Sequence, residues 1–68
     1  MAGTYKKIEI VGTSPTSYAE ATRTAIAEAA RSVRGMSWFE VVEQRGAIRD
    51  GKVSEFQVTL RVGFKIED

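Results

Sequence analysis

The 68-residue chain has no cysteine, no histidine and a single proline. Without cysteine no disulfide can form, and without either residue the ordinary zinc, haem and iron–sulfur sites are excluded as well. Its longest wholly apolar runs span only a few residues, against the ~20 that a membrane-spanning helix needs. No basic stretch followed by a long apolar core marks a signal peptide at the N-terminus. Ten Lys plus Arg stand against nine Asp plus Glu, for a formal charge of +1. Like charges never run beyond two in a row, so there is no polybasic arm to track nucleic-acid phosphates. The expectation is a cytoplasmic protein with neither nucleic acid nor membrane as partner.

What is present is an ordinary globular composition, 43% hydrophobic and 28% charged. Repeats, linkers and low-complexity segments are missing, and residues 1–68 read as one domain. A chain this short buries only about 60% of the surface it exposes when unfolded, which makes a lone core marginal. Small domains are usually reinforced by disulfides, a metal or self-association. With the first excluded and the usual metal ligands missing, self-association is expected.

Tyr5 to Thr13 alternates, with Ile8 and Ile10 on one side and Lys7, Glu9 and Val11 on the other, the pattern of a half-buried strand. Gly12 to Ser17 is rich in turn formers, and Ser17 with Glu20 forms a capping box at a helix start. From Tyr18 to Arg34 the period becomes helical. Tyr18, Thr22, Ala25, Ile26, Ala29 and Val33 share one stripe, opposed by Glu20, Arg23, Glu28, Arg31 and Arg34. Arg31 and Arg34 suit a last turn, and Gly35 supplies a left-handed stop. Met36–Arg49 and Val53–Glu67 then flank Asp50-Gly51, a dipeptide preferred in two-residue hairpins. In the second arm Phe56, Val58, Leu60, Val62, Phe64 and Ile66 share a face. The pattern predicts an α+β fold of order β-α-β-β, a three-stranded antiparallel sheet carrying one helix on one face.

Placing Asp50 and Gly51 at the turn sets Phe39 opposite Val62 and Val41 opposite Leu60, apolar pairs on the helix side. Trp38 then falls opposite Gly63, and Gln57 opposite Gln44, on the face away from the helix. A bulge near Gly46 would shift the distal register by one residue. An exposed tryptophan on a sheet surface signals a ligand or a partner subunit. Trp38 and Gln57 are about six positions apart along the paired strands, roughly 20 Å, so a small planar ligand touching both would have to lie between subunits.

Three stretches together are similar to a known family. Tyr5-Lys6-Lys7-Ile8-Glu9-Ile10-Val11-Gly12-Thr13-Ser14, then Ser17 and the alanine-rich helix, resembles the opening of a dodecin. Trp38-Phe39-Glu40-Val41-Val42-Glu43-Gln44-Arg45-Gly46 resembles the family's second strand, and Phe56-Gln57-Val58 its third. Dodecins are small flavin binders of β-α-β-β fold that assemble as hollow spherical homododecamers. The resemblance implies that Trp38 stacks on the isoalloxazine ring and Gln57 hydrogen-bonds its pyrimidine edge, with flavins paired between subunits. An indole is a stiff, electron-rich platform for an electron-poor ring, and an amide offers a donor and an acceptor to the imide edge. Electron transfer from the indole would quench the excited flavin, which suits storage, scavenging or buffering. The ligand would be FMN or riboflavin. An FMN phosphate would want a cation, Arg45 first, with Lys6 and Lys65 as weaker candidates. By alternation Arg45 points away from Trp38 unless a bulge intervenes, and pairing with a neighbouring Glu would also explain it. Some members resemble coenzyme A binders, a role that Arg23, Arg31 or Arg34 could serve, although solvated charge explains them as well.

No catalytic residue is expected. A tautomerase of this size needs an N-terminal proline, whereas Met1 is followed by Ala2 and the one proline is Pro15. Gly51-Lys52-Val53 lacks the Ser or Thr of a phosphate-binding loop, and Gly12 to Ser17 lacks dinucleotide-fold glycine spacing. Glu40 and Glu43, of opposite parity on one strand, should point to different faces and form no acid/base pair. The remaining alternative is a structural homo-oligomer that buries Trp38 without a ligand.

Overall fold

A computed structural model describes residues 3–66. Its elements are β1 (Tyr5–Ser14), α1 (Tyr18–Ala29), β2 (Met36–Arg49) and β3 (Lys52–Lys65), the expected β-α-β-β order. The strands form one antiparallel sheet with β3 between β1 and β2. Central placement accounts for the regular alternation of β3. Val58, Leu60 and Val62 are fully buried on its inner face, and Tyr18 of α1 packs edge-on against Phe56 with ring centroids 5.0 Å apart. The expected second arm of the hairpin ran from Val53 to Glu67. The strand is Lys52–Lys65, and Glu67 lies outside the described residues.

The first strand continues through Gly12 and Thr13 to Ser14, so Gly12 does not break it. Gly12 pairs with Val58, and a Cβ there would lie 2.3 Å from the Ala21 carbonyl oxygen and 2.6 Å from the Ala25 Cβ. The glycine is where the helix comes down onto the sheet. Ala21 and Ala25 are the buried helix residues; the expected stripe included Ala25 but placed the contact line one position away from Ala21. The hydroxyls that follow serve the turn and the cap, as expected, but only the Ser17 half of the capping box forms, since the Ser17 N–H is taken by Ser14 and not by Glu20. Buried Ser14 accepts N–H bonds from Thr16 (2.9 Å) and Ser17 (3.4 Å), and Ser17 Oγ accepts from the Glu20 N–H at 3.0 Å.

The helix stops at Ala29, five residues short of the expected Arg34. Beyond it the N–H groups of Arg31 and Ser32 bond to Glu28 and Ala29, the tighter i−3 pattern of a closing turn. Ser32 and Val33 are weak helix formers, and the chain must turn back to begin β2 at Met36. Arg31 and Arg34 therefore lie beyond the helix, whose last turn has no basic residue. Gly35 does adopt a left-handed φ of 73°, in the connection rather than at the helix end.

At the hairpin, Asp50 (φ 52°) and Gly51 (φ 76°) are both left-handed, as the two central residues of a type I′ turn require. Phe39 faces Val62, Val41 faces Leu60 and Trp38 faces Gly63, as the register predicted. The middle of the hairpin departs from it. An extra residue in β2 at Val42 moves the pairing by one, and an extra residue in β3 at Ser54 moves it back. Gln57 thus faces Arg45, not Gln44, and the bulge sits four residues before the expected Gly46.

The helix lies mainly over β1 and β3. Trp38, Phe39, Val41 and Val42 of β2 consequently stay exposed, apolar side chains on both faces of one strand. Among the described residues the five buried apolar side chains, Ala21, Ala25, Val58, Leu60 and Val62, are small to medium in size. Such a core leaves much apolar surface for another chain to cover.

Candidate functional site: the face behind the helix

Alternation and the bulges decide which side chains share the sheet face remote from α1. On β3 these are Glu55, Gln57, Thr59, Arg61 and Gly63; opposite them on β2 stand Ala47, Arg45, Glu43, Glu40 and Trp38. On β1, Lys7 faces Gly63, Glu9 faces Arg61 and Thr13 faces Gln57. The face divides into an aromatic end and a polar end.

At the aromatic end Trp38 lies flat across Gly63. A Cβ on that glycine would come within 2.2 Å of two indole carbons. One indole face is thereby occupied by the β3 backbone, while the residue remains 42% exposed. Lys7 reaches in from β1, its Nζ 5.7 Å from the indole centroid and 2.8 Å from Glu40 Oε1. Hydrogen bonding and attraction from Lys7 hold the Glu40 carboxyl below the usual carboxylate range. Arg61 and Glu9 make a second cross-strand pair at 3.1 Å. The indole is flanked by neutralised charge.

At the polar end Arg45 Nε donates to Gln57 Oε1 at 3.1 Å, and Gln57 Nε2 donates to Glu55 Oε1 at 2.8 Å. Both ends of the amide are oriented, yet each keeps a free hydrogen or lone pair for a second partner. Arg45 Nη1 also lies 3.8 Å from Glu43. By strict alternation Arg45 should have pointed away from Trp38, and Glu40 and Glu43 should have faced opposite ways. The bulge at Val42 brings all four onto one face. Glu40 and Glu43 therefore share a face, against the expectation, and each is paired with its own cation.

Trp38 stands opposite Gly63, six residues along β3 from Gln57. They share a face but not a contact, as the sequence predicted. Lys65, opposite Tyr5, is on this face at the end of the sheet. Lys6 faces Phe64 on the other side and lines a pocket with Ser32, Val33, Arg34, Phe64 and Ile66, which Lys65 borders from the strand end. Arg31 is paired with Glu28 at 3.5 Å. Arg23 lines an apolar groove between α1 and Phe39, apart from Arg34. The three arginines thus do not converge. Sequence reasoning did not single out Lys7, Gly63 or Glu55. The signal for the first two was available, since a register placing Lys7, Gly63 and Trp38 in one row leaves an empty centre that two long side chains can fill.

Residues 4–67 match the family model described as Dodecin. The chain is 46% identical to the dodecin of Thermus thermophilus over 68 residues, covering all of this chain and 99% of that one. It is 37% identical to the calcium dodecin of Mycobacterium tuberculosis over 62 residues, 91% of this chain and 87% of that one. The solved dodecin of Streptomyces davaonensis superposes with a TM-score of 0.93 at 41% identity, with complete coverage of both chains. Agreement of topology and of sequence along almost the whole length leaves one conclusion: the chain belongs to the dodecin family.

Proposed function

We propose that this protein binds flavin, FMN or riboflavin, and stores, scavenges or buffers it without turning over a substrate. The single observation that carries this reading is the seating of Trp38. One indole face rests on Gly63 and the other is presented on a sheet surface that the chain's own helix does not cover. An electron-rich platform held in that way fits a flat, electron-poor ring. Gln57 supplies a donor and an acceptor for the imide edge, and Arg45 beside it is a cation for a phosphate.

Because Trp38 and Gln57 are too far apart within one chain, the flavin lies between subunits, stacked on one Trp38 and edged by a neighbour's Gln57. The exposed apolar residues on both faces of β2 support self-association. Twelve copies in a hollow shell is the family's arrangement and is proposed here on that basis. Arg45 is the phosphate partner favoured, followed by Lys65; Lys6, which faces the helix side, is less suited. Coenzyme A as a second ligand has weaker support, since Arg23, Arg31 and Arg34 are dispersed. A cytoplasmic location agrees with the sequence reading, and among the described residues no helix is long and apolar enough to cross a membrane.

The test is a fluorescence titration of FMN with ligand-free protein. Quenching that saturates near one flavin per chain is expected. No quenching with FMN or riboflavin would leave a structural oligomer as the better reading. Quenching of riboflavin but not FMN would remove the phosphate contact and keep the stack. In the same assay Gln57→Leu should weaken binding by about 1–3 kcal/mol, the cost of leaving buried polar atoms unpaired. A loss greater than that caused by Trp38→Ala would reverse the ranking of the two residues.

A further inference from the structure

The row Lys7–Gly63–Trp38 crosses all three strands on one face. Lys7 and Trp38 belong to the two outer strands, whose backbones are about 10 Å apart with β3 between them. Their side chains nevertheless meet, Nζ lying 5.7 Å from the ring centroid. They can do so because the central residue has no side chain. Gly63 is itself buried, and the indole is what covers it. The φ of Gly63 is not in the left-handed region, so backbone conformation does not demand glycine there. Space does: a Cβ would sit 2.2 Å from two ring carbons and 2.8 Å from a third, all in the indole and not in a flexible chain end.

We infer that Gly63 is a positioning residue of the flavin platform, fixing the tilt and height of Trp38, with the Lys7 ammonium, paired to Glu40, held against the ring. This rests on the proposed flavin reading and adds the residue that sets its geometry. Aromatic rings laid across sheet glycines are a known way of repairing a gap in a strand. That role alone would make Gly63 a stability feature. The further consequence is for ligand binding. A planar ring stacks over a surface only at a fixed height and orientation, and a methyl under the indole lifts one edge by an atom's thickness. The ligand, held also by a second subunit, cannot follow that tilt.

Gly63→Ala is the test, compared with the parent in both the Trp38 and the Trp38→Phe backgrounds. In the ligand-free Trp38 protein the substitution should alter the near-ultraviolet circular dichroism of the single tryptophan while the assembled size stays unchanged. FMN affinity should fall about tenfold or more. In the Trp38→Phe background, where a smaller ring leaves room for the methyl, the same substitution should cost less than threefold. Such coupling separates a seat for the ring from a general loss of stability. An unchanged tryptophan spectrum with unchanged affinity would overturn the inference. So would an equal loss in both backgrounds, because Gly63 would then act by a route other than Trp38. If Gly63→Ala fails to assemble, Lys7→Met, at an exposed position, replaces it, and an unperturbed tryptophan spectrum with parental affinity counts against the seat. A parent protein that binds no flavin would sink the flavin reading and this inference's binding clause together. Parental binding untouched by Gly63→Ala would sink the inference alone.

Discussion

Trp38→Ala should abolish most flavin binding and leave the assembly the same size. Truncating an aromatic anchor in a protein interface typically costs about 2–4 kcal/mol, or roughly 30- to 1,000-fold in affinity. The upper part of that range is expected here, because the ring supplies the stacking surface and no other aromatic side chain shares its sheet position. The fold should tolerate the change. Trp38 packs on the outer face, remote from the buried cluster of Ala21, Ala25, Val58 and Leu60. Titration fluorimetry and size-exclusion chromatography on the same sample separate the two effects. Parental affinity in the variant would remove Trp38 from the site.

The second large effect concerns the scaffold. Gly12→Ala forces a Cβ to within 2.3 Å of the Ala21 carbonyl oxygen and 2.6 Å of the Ala25 Cβ. Neither atom belongs to a flexible side chain, so relief requires the helix to move away from the sheet. Overpacking of this kind costs about 3 kcal/mol, roughly 12–24 °C in melting temperature for a domain of this size. Gly35→Ala provides the contrast, since its Cβ meets nothing within 4 Å and only the left-handed φ of 73° opposes it. That variant should lose about 1–2 kcal/mol. Thermal melts followed by circular dichroism at matched concentration would compare them. Equal losses would show that close approach at Gly12 is not what holds the helix down.

Which parts of the molecule the sequence revealed follows from the range of the forces involved. Period-2 alternation in β1 and β3 reports which side chains leave water, and that information is carried residue by residue. The Asp50-Gly51 turn is equally local, because both residues need positive φ. The helix end at Ala29 was less legible. Ser32 and Val33 are weak helix formers but do not forbid one more turn, and the need to reach β2 decides the stop. The bulges at Val42 and Ser54 left no composition signal at all. Their effect on the site is nonetheless decisive, since one extra residue transfers Arg45 from the helix side to the face of Trp38 and Gln57. Gly12 was read as a turn former because glycine has two uses, conformational freedom and small size, and a sequence does not say which one a position needs. Trp38 was visible for the opposite reason: a large ring on a predicted outer face has no local explanation.

The irregularities of β2 have a bearing on how a chain that must self-associate stops at a finite size. Both outer strands of the sheet present unpaired backbone groups, and β2 is long and carries exposed apolar side chains on both faces. An even ladder of that kind is a template onto which strand after strand could dock, giving filaments instead of closed particles. Extra residues at Ser37 and Val42 interrupt the row of donors and acceptors and add local twist. The edge they leave is out of step with any straight incoming strand. Cohesion through side chains survives, and growth through the backbone is discouraged.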